Sequence, residues 1–148
     1  MLNSLLLKIS AILFLVFVIT ACSNSETNLI DENLPLDQQI DRLIENDRYT
    51  TALSILETHD REDPEIRLLL EKTHLNFGLH SMSTFDMNEM RTRMNNALVQ
   101  FTEVLKLNPG NVVAREQIEQ ILMIYSTIPN RDPDPDVLEG LREVGFEY

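Results

Sequence analysis

Two apolar stripes joined by a turn constrain the fold of this chain more than any other feature of its sequence. Between the stripes, Pro109 and Gly110 cannot continue a helix, and Asn111 can cap the next one. The pattern therefore predicts two antiparallel helices in a hairpin. The stripes recur at steps of three and four residues and comprise Met87, Met90, Met94, Ala97, Leu98, Phe101, Val104 and Leu105, then Ala114, Ile118, Ile121, Leu122 and Tyr125.

Shorter stripes upstream predict three further helices. The third, predicted over residues 64–81, opens with Asp63 as its cap and Pro64 in its first turn. It is apolar on two sides, which is typical of a helix packed between two neighbours. The three stripes comprise Leu36, Ile40, Leu43 and Ile44; Tyr49, Ala52, Leu53 and Leu56; and Ile66, Leu69, Leu70, Thr73 and Phe77, with Leu68, Leu75, Leu79 and Met82 on the second side of the third helix.

Two acidic pairs suggest helix starts of the capping-box type. Asp86 with Glu89 is predicted to open the long helix, and Asp136 with Glu139 a short helix near the C-terminus. Gly145 is predicted to end that short helix, and Phe146 to fold back on its last turn. We expect this tail to close one end of the helical array, the alternative being a disordered acidic tail.

The first 21 residues have the composition of an export signal. Lys8 precedes an uncharged run over residues 9–21, which is too short to span about 30 Å of hydrocarbon as a stable anchor. The run ends in Ile19, Thr20, Ala21 and Cys22, which resembles the lipobox of bacterial lipoproteins. That resemblance implies that Cys22, the only cysteine, is acylated and becomes the new N-terminus. The alternative is an ordinary secretory signal followed by an incidental cysteine.

Acidic residues dominate the charge of the chain, with 24 of them against 12 basic ones and a formal net charge of −12. Such a surface repels nucleic acid and anionic lipid headgroups, so acyl chains are the expected attachment to a membrane. We interpret the charge as a means of solubility in preference to an acidic docking face. Ser23 follows the cysteine that would be acylated, and a serine there resembles the sorting signal for the outer membrane. We therefore expect the protein in the outer membrane in preference to the inner membrane.

Two segments of the chain share one spacing of residues. Each has an alanine, a large apolar residue four places later and a proline at the same distance beyond: Ala52, Leu56 and Pro64, then Ala97, Phe101 and Pro109. In this spacing the two segments resemble tetratricopeptide repeats. The resemblance implies that the alanines let paired helices approach closely, that Phe77 fills a large apolar place in the first helix of the second unit, and that the prolines end helices. His74 and Ile40 stand where the family usually has a glycine.

No catalytic constellation is apparent in the sequence. His59, His74 and His80 are not spaced as metal ligands on one helical face, and the acidic pairs lack a histidine, a nucleophile or phosphate-binding glycines nearby. Methionines near His80 could in principle hold Cu(I), but we favour core packing for them, with a partner surface at Met82, Met87 and Met90 as a further possibility.

The sequence thus predicts an all-α fold, a short α-solenoid of antiparallel helix hairpins similar to tetratricopeptide proteins, with a C-terminal capping helix. We expect a signal peptide over residues 1–21, a flexible tether over 22–35, the helical domain over 36–130 and an acidic tail with the capping helix over 131–148. The expected function is that of a lipid-anchored, non-catalytic scaffold or adaptor that binds another protein at the bacterial cell envelope, without nucleic acid, metal or cofactor. The alternative is a small-ligand or copper-handling protein that passes cargo to a transporter.

Overall fold

The computed structural model describes residue 30 and residues 33–83, 89–129 and 131–148. In these residues the regular secondary structure consists of six helices and no strand, which confirms the all-α fold class. The helices are α1 (Leu36–Glu45), α2 (Tyr49–Leu56), α3 (Pro64–Ser83), α4 (Met90–Leu107), α5 (Val112–Ser126) and α6 (Pro135–Glu143). The predicted signal peptide and the lipobox residues lie outside the described residues.

Residues from Ile40 to Tyr148 form one compact unit, and the described residues up to Gln39 belong to another. In the N-terminal unit, Gln39 Nε2 donates a hydrogen bond of 2.8 Å to the Leu34 carbonyl oxygen, which fixes the entry into α1. In the larger unit, α3 packs against α2 and α4, and α4 packs against α5 and α6 as well. The long helix predicted from the apolar stripe is therefore the one on which most of the unit is built.

The two predicted stripes of the hairpin meet in a single buried cluster. Phe101 of α4 and Ile118 and Ile121 of α5 are fully buried, as are the smaller Ala97 and Ala114 that lie in the same stripes. Burying one large apolar side chain contributes about 1.5–3 kcal/mol, so this cluster is the main source of stability in the C-terminal half. The α6 residues Val137 and Leu141 complete the cluster.

The prediction for α3 was right in extent and partly wrong in packing. Ile66, Leu69 and Leu70 on its first side are buried as expected. On its second side, Leu75 and Met82 pack against the core, but Leu68 is 64% exposed and Leu79 is 37% exposed. The helix does lie between two neighbours, yet these cover only part of its second apolar side.

Two predicted helix caps are confirmed by their hydrogen bonds. The Asn111 side-chain oxygen accepts from the Ala114 backbone N–H at 2.9 Å at the start of α5. Asp63 Oδ1 accepts from the Glu65 backbone N–H at 2.8 Å at the start of α3. Each side chain satisfies one of the backbone donors that a helix leaves unpaired at its N-terminus.

Two predicted capping boxes are wrong. Glu89 lies before the first residue of α4 and makes no side-chain cap. Its carboxylate pairs instead with Arg93 at 2.9 Å. Asp86 lies outside the described residues. At the C-terminus, α6 begins at Pro135, so Asp136 is already inside the first turn. The fixed φ of proline suits the first helical position, which moves the start ahead of the expected cap.

The end of α6 follows the prediction. Gly145 has a φ of +90°, in the left-handed region that favours glycine, and its N–H donates to the Arg142 carbonyl at 3.1 Å. The Phe146 N–H donates to the Leu141 carbonyl at 3.0 Å, and the Phe146 ring packs partly buried against the core. These bonds satisfy carbonyls that the helix end leaves free.

Candidate functional site

α3 and α4 approach each other closely at Gly78. A Cβ atom built on Gly78 would lie 2.6 Å from Cε1 of Phe101, nearer than real Cβ atoms come to a neighbour. Ala97, one helical turn before Phe101, is fully buried. The sequence analysis identified Ala97 and Phe101 but missed Gly78, although a lone glycine inside a helical pattern is a recognised signal of tight packing.

The remaining positions of the repeat resemblance lie as follows. Ala52 and Leu56 are fully buried in α2, whereas Pro64 and Pro109 are exposed at the start of α3 and in the turn before α5. Phe77 is half-buried, and its ring stacks on that of Tyr49 with centroids 5.1 Å apart and 7° between their planes. Burial and the hydrogen bond to Asp47 raise the pKa of Tyr49 to about 12, so its hydroxyl stays a donor.

A chain of hydrogen-bonded polar side chains crosses the interface between α3 and α4. His74 Nδ1 donates to Gln100 Oε1 at 2.7 Å, Gln100 Nε2 donates to Asn96 Oδ1 at 3.2 Å, and Asn96 Nδ2 donates to Ser81 Oγ at 2.7 Å. Because burial disfavours a charged imidazole, the pKa of His74 is lowered from its ordinary value. His74 is thus a buried side chain that is neutral at pH 7.

The methionines of the predicted partner surface divide between core and surface. Met82 packs partly buried against the core cluster, and Met87 lies outside the described residues. Met90 is half-buried and lines a cleft between the N-terminal end of α4 and the C-terminal end of α5. Met94, Ile124 and Ile128 provide the rest of the apolar lining, with arginine side chains beside them.

The methionine cleft has a cavity volume of about 20 Å³, which is room for about one water molecule. Small-molecule sites are usually about 300–1,000 Å³, so this cleft is far smaller than the usual site of a small ligand. Larger clefts of about 450 to 510 Å³ near the C-terminal end of α4 are shallow and lined by mixed charges, including Arg67 and Glu103. Among the described residues, no group of three His, Cys, Asp or Glu side chains is arranged to hold a metal ion.

The segment after α5 is held on α4 by polar contacts that the sequence analysis did not identify. Asn95 is buried, and its Oδ1 accepts from the Tyr125 hydroxyl at 3.2 Å and from the Asp134 N–H at 3.3 Å. Burial raises the pKa of Tyr125, which keeps that hydroxyl protonated. Arg91 donates to Asp134 Oδ1 at 2.7 Å and to the Asp132 carbonyl at 3.3 Å.

At the other end of α6, Lys106 pairs with Glu143 at 3.0 Å and with Glu103 on its own helix at 3.0 Å. Hydrogen bonds to Glu103 and Glu143 raise the pKa of Lys106. Between the two ends, the Thr102 γ-methyl lies 3.5 Å from the place of a Cβ on Gly140. The Thr102 hydroxyl is buried without a hydrogen-bond partner among the described residues, which is unusual because a buried polar atom is normally paired.

None of the helices in the described ranges is both long and apolar enough to cross a membrane. Comparison of the chain with protein-family models, with curated proteins and with solved structures finds no match.

Proposed function

We propose that this protein is a lipid-anchored, non-catalytic scaffold or adaptor that holds a protein partner at the bacterial cell envelope. In this proposal its helical unit is a short α-solenoid of antiparallel hairpins, similar to tetratricopeptide proteins, with α6 as a cap. The packing of α3 on α4 at Gly78 and Phe101 carries the proposal, because close helix approach at small residues is the basis of that repeat. Such arrays offer long helical faces that suit a protein partner.

The chemistry of the exposed surface supports a protein partner. Val112 and Met123 of α5 are more than half exposed, as is Leu68 of α3, so each long helix presents apolar atoms to a partner. The methionine cleft adds side chains that adapt to different shapes. A buried apolar anchor surrounded by polar groups is the usual arrangement of a binding surface.

Membrane attachment is proposed at Cys22, because an anionic bilayer repels an acidic chain and acyl chains on the cysteine would hold it there. We expect Cys22→Ala to yield an uncleaved or soluble product without lipid mass, whereas the control Ser25→Ala stays lipidated. Intact mass and fractionation after a salt and carbonate wash measure this. Retention of Cys22→Ala in washed membranes, with no lipid mass on the wild-type chain, would contradict the anchor.

The partner surface is tested separately from the anchor by crosslinking and affinity capture from the native membrane. We expect Met90→Glu to reduce recovery of the specific partner, because a charge at the cleft cannot be buried without cost. Met123→Glu is the matched control, since this methionine is 62% exposed on α5 and does not line the cleft. Equal recovery with both variants, each folded by circular dichroism, would place the partner elsewhere.

A further inference from the structure

The C-terminal helix α6 covers a face of α4 that is built to receive a helix. We propose that α6 is a releasable occupant of this groove and that an amphipathic helix of a protein partner displaces it. The groove is the surface of α4 between Arg91 and Lys106, centred on Thr102. This inference deepens the proposed scaffold function and depends on it for the existence of a partner.

The charges on the groove select the direction and the chemistry of the bound helix. Arg91 near the start of α4 pairs with Asp134 just before α6, and Lys106 near the end of α4 pairs with Glu143 at the end of α6. The two helices therefore run in the same direction. In a chain with a formal net charge of −12, a groove with a cation at each end is suited to a helix with acidic ends.

The apolar part of the contact comes from α6 and the residues just after it. Val137 and Leu141 are buried and lie on one face of the helix, and Leu138, Val144 and Phe146 pack partly buried against the same cluster. The outer contacts are ion pairs between exposed side chains, and such pairs contribute little to stability in water. An isolated helix as short as α6, with residues Pro135–Glu143, is marginal, so its order depends on this contact.

The fit of α6 in the groove is incomplete at its centre. Gly140 has no side chain to fill the contact and is a poor helix former in this position. A Cβ at position 140 would meet the Thr102 γ-methyl at 3.5 Å, an ordinary van der Waals distance. The hydroxyl of the same Thr102 is buried and unpartnered in the part of the chain that the structure describes. A small side chain with a hydroxyl fits at position 140 and would pair with Thr102 once rotation about χ1 exchanges the threonine methyl and hydroxyl.

These contacts specify the partner. It is an amphipathic helix with apolar residues at the places that Val137 and Leu141 occupy in α6 and a serine at the place of Gly140. Acidic residues stand at the places of Asp134 and Glu143. Compared with α6, it gains a hydrogen bond to Thr102 and loses the glycine. We infer that it binds the same groove more tightly than α6 does.

The first test uses a fluorescent peptide of residues 131–148 that carries Gly140→Ser, added to the full chain. Leu141→Asp in the protein places a charge at a buried contact and releases α6. We expect fluorescence anisotropy to show binding to this variant at least about tenfold tighter than to wild type, because α6 occupies the groove most of the time. A peptide with Leu141→Asp is the control and should bind neither protein. Absence of binding to the folded variant would overturn the proposal.

Hydrogen exchange on the wild-type chain tests release without any variant. We expect the amides of α6 to exchange at least about a hundredfold faster than those of α4 around Phe101, because α6 opens without unfolding the core. Equal protection of the two helices would overturn the inference even if Leu141→Asp failed to fold. A wild-type dimer in which α6 is exchanged between copies would also overturn it, since a second copy would then be the occupant.

A double-mutant comparison tests the Thr102 contact. Gly140→Ser should slow the exchange of α6 several-fold more than Gly140→Ala does, and this advantage should vanish in a Thr102→Val background. The same serine advantage in both backgrounds would show that the Thr102 hydroxyl has no part in recognition. These measurements need neither a membrane nor the native partner, so their failure is distinguishable from failure of the proposed scaffold function.

Discussion

Gly78→Ala is expected to destabilise the protein, although alanine is the better helix former. The added methyl group would lie 2.6 to 2.9 Å from three ring atoms of Phe101, and that ring is fully buried and has no room to swing away. Overpacking of this kind costs about 1–3 kcal/mol. Replacing glycine by alanine in a helix gains about 1 kcal/mol. Because the overlap involves a fixed ring, the cost is near its upper end, and the net loss is about 2 kcal/mol.

Urea denaturation followed by circular dichroism measures this loss. With a slope of about 2 kcal/mol per molar urea, the midpoint of Gly78→Ala should fall by about 1 M. Gly140→Ala is the matched control, since its methyl group meets its nearest neighbour at 3.5 Å; there the gain of about 0.5–1 kcal/mol in helix propensity should raise the midpoint. Phe101→Leu should cost less in the Gly78→Ala background than in wild type. A midpoint for Gly78→Ala at or above that of wild type would refute the close approach.

The remaining predictions concern the same interface. Ala97→Leu should lower the free energy of unfolding by about 1–3 kcal/mol, because the fully buried site has no space for the added volume. Ala52→Ser in α2 is the control, since it changes the side-chain volume little. Comparable denaturation midpoints for Ala97→Leu and wild type would contradict this prediction. Burial lowers the pKa of His74, so the unfolded state binds a proton more readily than the folded state does. The free energy of unfolding should therefore fall as the pH drops below about 6.5. His74→Gln should flatten this dependence between about pH 5.5 and 7.5, and parallel curves for His74→Gln and wild type would exclude His74 as the cause.

Apolar periodicity was enough to predict the helices and most of the core. The stripe containing Ala97 and Phe101, and the turn at Pro109 and Gly110, are local patterns that depend on the chain alone. Asn111 capped its helix as expected because its partner is only three residues away. The capping boxes failed where a nearby residue offered a stronger alternative, as Arg93 did for Glu89.

The contacts that make up the candidate site could not be predicted in the same way. The pairing of Asn95 with Asp134, or of Thr102 with Gly140, depends on how α6 lies on α4, and no periodicity within either helix specifies that. Leu68 illustrates the same limit in reverse. Its position in a second apolar stripe predicted burial, but whether a neighbour covers that side is decided by the three-dimensional arrangement of the helices.

The hydrogen-bonded chain from His74 to Ser81 fixes the register of α3 against α4. Apolar contacts are non-directional, whereas a hydrogen bond needs a particular donor opposite a particular acceptor. Here a slide of one turn would separate His74 from Gln100 and Asn96 from Ser81, and leaving the buried Gln100 amide unpaired would cost about 1–3 kcal/mol. These hydrogen-bonded side chains therefore select one alignment of the two long helices without a covalent link. The groove on α4 is presented in that single alignment.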